Sequence, residues 1–258
     1  MEMNLYEAIF SRKSVRKFRM EAVEEDLLAE IGAFYSETPA LYPGIETEIG
    51  IINNTDGKHP VSGLFKVSAP YYLSIYSEKR DRSLMNAGYL GEQLALFLMT
   101  RGLGSCFLGS AHLKKEEMTR GGKELVILLA FGKPAGSLTR RVSEAKREPM
   151  SRLCVYKDEP RSWMQDVLEA ARLAPSALNT QPWRFVVTEN RIHIFSKNRS
   201  VETLKKWDEF NFGVMFAHIM IVSEEKWLDL DLIRLENISQ KNFRSNQYVL
   251  SAVMKNRP

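Results

Sequence analysis

Between residues 20 and 35 the apolar side chains return every third or fourth place. Val23, Leu27, Ile31 and Phe34 fall on one face, behind the acidic run Glu24, Glu25 and Asp26. That spacing predicts a surface helix with a single buried stripe, its acidic first turn at the positive end of the helix dipole. Residues 45–53 (IETEIGIIN) and 70–77 (PYYLSIYS) are short, rich in Ile and Tyr and bounded by Pro, Gly and Asp, which predicts two strands. The segment NAGYLGEQLALFLMTRGLG, residues 86–104, is apolar on nearly every face from Leu94 to Met99 and closes on Gly102 and Gly104. It reads as a central helix buried on all sides with a glycine stop. ELVILLAFGKP, residues 124–134, reads as a buried strand ended by Gly132 and Pro134.

The same run of elements then returns. Ser162, with Gln165 three places on, has the form of a capping box, and Trp163, Val167 and Ala170 or Ala171 supply the apolar stripe of the helix it would open. Residues 183–197 read as a hairpin turning near Glu189 and Asn190, 210–222 as another buried helix and 246–254 as a last strand. A displacement of 140 lays SRKSVRKF (11–18) over SRLCVYKD (151–158), with Ser, Arg, Val and Lys identical. A displacement of 125 lays Asn86 and Gly88 over Asn211 and Gly213, and the two halves end in strands closed by Pro134 and Pro258. Agreement in order and type predicts a duplicated α+β chain, with a first half over residues 1–140 and a second over 141–258. The join lies in the polar segment 136–150.

Composition narrows the class without naming it. A chain of 258 residues with 44% hydrophobic and 26% charged positions excludes a disordered, collagenous or disulfide-dense mini-protein. Cys106 and Cys154 stand far apart with no CxxC neighbour, which fits a reducing, cytoplasmic setting. No apolar run nears the roughly 20 residues of a membrane span, and Met1 to Arg19 lacks a signal-like apolar core. The formal charge of +4 admits an anionic ligand but does not demand nucleic acid. His59, His112, His193 and His218 are scattered without ligand spacing, so no metal is expected.

Three segments carry candidate chemistry. Arg12, Lys13, Ser14, Arg16 and Lys17 place four cations and a hydroxyl ahead of the first predicted helix, donors of the kind that hold a phosphate. A solvated basic terminus reads the same way. PSALNTQPWRF, residues 175–185, joins a helix to a strand and offers Ser176, Asn179 and Gln181 as neutral donors and acceptors, suited to a flat heterocycle or to an ordinary loop. GLGSCFLG, residues 102–109, has Phe107 where a dinucleotide fingerprint needs glycine, so helix capping accounts for its glycines.

In order, these segments resemble the nitroreductase family of FMN-dependent oxidoreductases over most of the chain. Arg12, Ser14 and Arg16, with Lys13 among them, match an R-x-S-x-R segment, which the resemblance places on the FMN phosphate and ribityl chain. Pro175, Ser176, Asn179, Gln181, Pro182 and Trp183 match P-S-x-x-N-x-Q-P-W, the most specific of the motifs, which borders the flavin ring. The resemblance also implies the Gly109 backbone N–H near flavin N5, with Leu108 among the cofactor contacts, and Arg140 and Arg141 in the phosphate pocket. It implies NADH or NADPH as donor and a nitroaromatic, quinone or related small-molecule acceptor in ping-pong turnover. The flavin rather than a side chain carries the chemistry, and neither nucleic acid nor membrane is a partner.

The family is usually an intertwined homodimer of shorter subunits. Here the first half has YSETPALYPG, from Tyr35, where the second has its P-S-x-x-N-x-Q-P-W segment, and the second half has Cys154 and Tyr156 where the first has Ser14 and Arg16. This complementary loss implies an intramolecular pseudodimer with one FMN site, built around central buried helices and antiparallel-rich sheets, with further oligomerisation open. An FMN-binding sensor or storage protein without turnover stays open as an alternative. Behind it stands a basic module gripping nucleic-acid phosphates.

Overall fold

The computed structural model describes residues 3–59, 61–63, 67–197, 202–239 and 246–255; Pro258, the expected close of the second half, lies outside them. The chain divides into two compact units, Met1–Ala145 and Lys146–Pro258. The division falls five residues beyond the expected 140/141 join. The reason is local: the Arg140 N–H donates to Ser11 O at 2.9 Å and Arg141 pairs with Glu144 at 3.0 Å, so both arginines are tied into the first unit.

In the first unit, helices α1 (Leu5–Ser11) and α2 (Glu25–Glu37) precede strands β1 (Thr47–Asn53), β2 (Ser62–Gly63) and β3 (Tyr71–Ser77). Helix α3 (Ser83–Thr100) follows, then β4 (Gly104–Leu108), β5 (Ala111–His112), β6 (Thr119–Arg120) and β7 (Lys123–Gly132). The main sheet runs β1-β3-β7-β4, antiparallel throughout, with β6 on β7 and a separate β2-β5 pair. Every residue of α3 from Met85 to Met99 is buried, as its all-round apolar surface requires. Strand β3 is buried along its whole length. α3 meets it on one side, and on the other Tyr72 packs with Val61, Cys106, Leu108 and Leu128.

The second unit contains α4 (Met150–Leu153), β8 (Cys154–Tyr156), α5 (Ser162–Leu173), β9 (Trp183–Thr188) and β10 (Arg191–Lys197). Then come α6 (Glu202–Glu225), β11 (Leu230–Ile233), α7 (Glu236–Ser239) and β12 (Asn246–Met254). Its sheet order is β11-β12-β10-β9-β8. Read as β9-β10-β12-β11 it repeats the first unit's order, and β8 adds a parallel strand beside β9. The aligned segments 11–18 and 151–158 do not occupy the same edge. Ser14 bridges Ser105 on β4, whereas Cys154 pairs with Phe185 on β9.

The central helices end alike. At the end of α3 the Leu103 N–H bonds Leu98 O and the Gly102 N–H bonds Met99 O; at the end of α6 the Leu228 N–H bonds Ser223 O and the Trp227 N–H bonds Glu224 O. Each is a Schellman ending, which needs a left-handed residue at its turn. Gly102 supplies it at φ +75, and Trp227 takes the same conformation at φ +55.

Several expectations are corrected. Ser162 is the first helical residue of α5, and its N-cap Arg161 makes no side-chain cap, so the Ser162–Gln165 box does not form. A capping box does form at Asn4 and Glu7, opening α1. The basic segment therefore follows one helix, and the next begins only at Glu25. Gly104 belongs to β4 rather than to the stop of α3.

Unit two buries a polar chain on paired strands: His193 Nδ1 lies 2.7 Å from Ser251 Oγ, which lies 2.7 Å from Tyr248 Oη. Burial, and then the charge of Arg191, hold the imidazole below its ordinary value. Below pH ~6.5 the unfolded chain then takes up the proton more readily than the folded one. Stability is expected to be full above that pH and to fall as pH drops toward the folded value. Thermal melts across pH 5–8 should show this slope in the wild type and lose it in His193→Gln; identical slopes would assign the acid sensitivity elsewhere.

Candidate functional site

The basic segment runs extended between β4 and residues 133–140. The Val15 N–H donates to Ser105 O, the Arg19 N–H to Lys133 O and the Ala135 N–H to Lys17 O, each at 2.9 Å. This close approach explains Gly104, where a Cβ would lie 2.6 Å from Val15 Cγ2. The segment thus brings Arg12, Ser14 and Arg16 near Cys106 and Lys13, with Arg140 and Arg141, near Glu144. Glu144 is the acidic partner of Arg141, with Lys13 and Arg140 nearby. Its carboxyl is held below the usual range by the Arg141 N–H, then by the Arg141 side chain, with Lys13 and Arg140 adding smaller attractions. Burial pushes the Cys106 thiol up despite the nearby Arg16 and Arg12 charges, and burial pushes Cys154 up to about 11. Both are thiols at neutral pH and poor nucleophiles.

Arg12 differs from its neighbours. It is 3% exposed, with Nε 3.4 Å from the carboxylate of Glu92 on α3, itself fully buried. Its Nη2 is a buried donor with no partner among the described residues. Arg16 is exposed. The segment therefore combines a buried directional donor with surface cations, a set that fits a phosphate.

Leu108 and Gly109 lie at the far end of β4 from Ser105. The Leu108 side chain belongs to the core around Tyr72, and Gly109 is exposed.

Pro175, Ser176, Asn179 and Gln181 form one loop of the second unit between α5 and β9. Leu178, Asn179 and Gln181 all have positive φ, at 51, 55 and 45, and Leu178 is left 72% exposed. The Gln181 N–H donates to Ser176 Oγ at 2.9 Å, and Gln181 Oε1 accepts from the Glu148 N–H at 2.7 Å. Gln181 is thus a buried strut, whereas Asn179 is exposed. From α6, Asn211 Oδ1 accepts the Ala177 N–H at 2.8 Å. In the first unit Asn86 Oδ1 on α3 likewise accepts the Tyr42 N–H at 2.9 Å, inside the segment that replaces this loop. Asn211 Nδ2 and Trp183 Nε1 are buried donors without partners among the described residues, which suits a carbonyl-bearing ligand beside the loop.

Asn211, Arg147 and Glu148 escaped the sequence reading as loop-holding residues. The Asn86/Asn211 identity was the available signal for the first; the other two sit in a stretch that reads only as polar linker. Among the described residues, no three His, Cys, Asp or Glu side chains gather as a metal site needs. Nor is any helix there long and apolar enough to cross a membrane.

The family model described as "Putative TM nitroreductase" matches residues 4–223. The chain belongs to this nitroreductase family, and its α+β fold is nitroreductase-like. The crystal structure of a "putative nitroreductase" from Thermotoga maritima is 22% identical, covers 98% of this chain and 95% of its own, and superposes with a TM-score of 0.65. A nitroreductase family protein from Clostridium difficile 630 is 16% identical over 61% of this chain and 100% of its own, with a TM-score of 0.50. A nitroreductase with bound FMN from Desulfitobacterium hafniense is 17% identical over 54% of this chain and 94% of its own, with a TM-score of 0.46. No curated protein matches the chain.

Proposed function

We propose that the protein is an FMN-dependent NAD(P)H oxidoreductase that reduces a nitroaromatic, quinone or related small molecule. The observation that carries this reading is the extended basic segment, which holds Lys13 with Arg140 and Arg141 around Glu144, and Arg16 with buried Arg12, whose Nη2 has no partner among the described residues, near Cys106. Family membership supplies the class of reaction.

When bound, FMN would accept hydride from NADH or NADPH and pass it to the acceptor in a second half-reaction. The chain's own part is binding and orientation. Arg12 and Arg16, with Lys13, Ser14, Arg140 and Arg141, neutralise and hold the phosphate. Asn179 and Gly109 offer donors to the ring system, and Pro175, Ser176 and Gln181 fix the loop that carries Asn179. Fixed donors of this kind favour the negative charge that develops on reduction. No side chain is assigned proton or nucleophile chemistry.

Internal duplication is part of the reading. It is supported by the repeated sheet order, by the twin Schellman endings at 102 and 227, and by the Asn86 and Asn211 side chains that hold corresponding loops. The Asn and Gln of that loop exist only in the second unit, which supports one FMN per chain.

The test is a visible spectrum of the purified chain with added FMN, followed by anaerobic NADH and NADPH. About one FMN per chain, bleached by a nicotinamide, is the expected result. Asn179→Ala should shift the flavin bands or slow reduction. Bound flavin that never bleaches would replace the enzyme by a binding or sensing protein, and absence of flavin would overturn the cofactor.

A further inference from the structure

Arg147 is the second residue of the second unit, and its guanidinium reaches Leu173 O, Asn179 Oδ1 and, from Nη1 at 3.3 Å, Lys146 O. Nε and Nη2 donate to Leu173 O at 3.2 and 3.1 Å, and Nη1 donates to Asn179 Oδ1 at 2.9 Å. Leu173 is the last residue of α5. Its carbonyl has no partner within the helix and sits at the negative end of the dipole. Asn179 Nδ2 in turn donates to Lys146 O at 2.8 Å. Both contacts fix the direction of the amide, because a guanidinium only donates and a carbonyl only accepts. Oδ1 must face Arg147 and Nδ2 must face Lys146. One Nδ2–H is left to offer outward, from an exposed residue already held at φ +55.

We infer that Arg147 is a positioning residue for flavin binding: it sets the Asn179 amide so that a single N–H donor is offered to the ring. The inference rests on the reading that the 175–183 loop borders the flavin. Lysine is no substitute. Its ammonium is a point charge that can satisfy the end of α5, but it lacks the planar fork that reaches the carbonyl and the amide together.

The experiment compares Arg147→Ala, Arg147→Lys, Asn179→Ala and the double alanine variant in the full chain. FMN affinity is read by fluorescence quenching, the bound-flavin spectrum by absorption, and folding by thermal melting. Arg147→Ala is expected to bind FMN roughly tenfold more weakly, equivalent to about 1.4 kcal/mol, and to show the same band shift as Asn179→Ala. The double variant should be no worse than either single, since both remove one interaction. Arg147→Lys should recover most of the melting temperature but not the affinity or the spectrum. Additive losses, or recovery of binding by lysine along with stability, would reduce Arg147 to a helix cap and overturn the proposal. If Asn179→Ala changes nothing, the ring-side reading of the loop fails, and the proposal with it. If Asn179→Ala acts and Arg147→Ala does not, the loop reading survives and only the positioning role falls.

Discussion

Arg12→Ala is expected to destabilise the FMN-free protein by about 3–5 kcal/mol, the usual result of removing one member of a buried ion pair. The pair is well defined. Arg12 is 3% exposed and Glu92 fully buried, with Nε and Oε1 3.4 Å apart. Deleting the guanidinium removes the Arg12 charge from beside the Glu92 carboxylate, which stays fully buried in α3. The pair itself contributes less than its loss suggests, because both groups were desolvated to form it. Arg12→Met combined with Glu92→Leu should therefore regain most of the stability. Urea unfolding of the two proteins separates the cases. A loss below about 1 kcal/mol in the single variant would mean that other groups or water hold the Glu92 charge without Arg12.

Arg16→Glu is expected to act on the cofactor and not on the fold. The side chain is exposed, and its charge is felt as far as Cys106 on the neighbouring strand. Reversing it puts a carboxylate among the groups assigned to the phosphate. A charge-assisted hydrogen bond contributes roughly 1.5–3 kcal/mol, so FMN affinity should fall roughly 10- to 150-fold while the melting temperature of the FMN-free chain stays put. Arg19→Glu is the control. Arg19 is also exposed, and its nearest acidic group, Glu21, is 3.9 Å away at the surface, so this reversal should leave FMN binding near wild type. Equal losses in both would point to a general loss of positive field. Undiminished flavin in Arg16→Glu would remove Arg16 from the site.

The parts of this structure that were legible in the sequence are those with strong periodicity. The continuous apolar surface of α3 and the Ile- and Tyr-rich strands β1 and β3 declare their period and their burial together. Strand β4 did not, because GSCFL has five residues and begins on glycine, with no alternation to read. Helix α1 was missed for a related reason: seven residues barely span two turns, and it depends on its capping box and on packing against α3. The false box at Ser162 shows the opposite hazard, since a matching spacing does not say whether serine stands at the cap or one place inside it.

The candidate site divides along the same line. Segment 11–18 and loop 175–183 could be found by motif, but what each side chain does there depends on distant partners. Glu92, which turns Arg12 into a core residue, lies 80 positions along the chain from it. Arg147, which orients Asn179, lies 32 positions away in a segment with no pattern of its own. Long-range pairing of this kind leaves no trace in a single sequence.

The ending of α6 has an optical consequence. Trp227 holds a left-handed turn where α3 uses glycine, and it stands 91% exposed, while Trp183, in the same unit, is fully buried. One indole is in water and the other is sealed from it. Of the four tryptophans in the chain, these two stand in opposite environments, one reporting on the solvent at a helix end and the other on the integrity of the sheet beneath the loop.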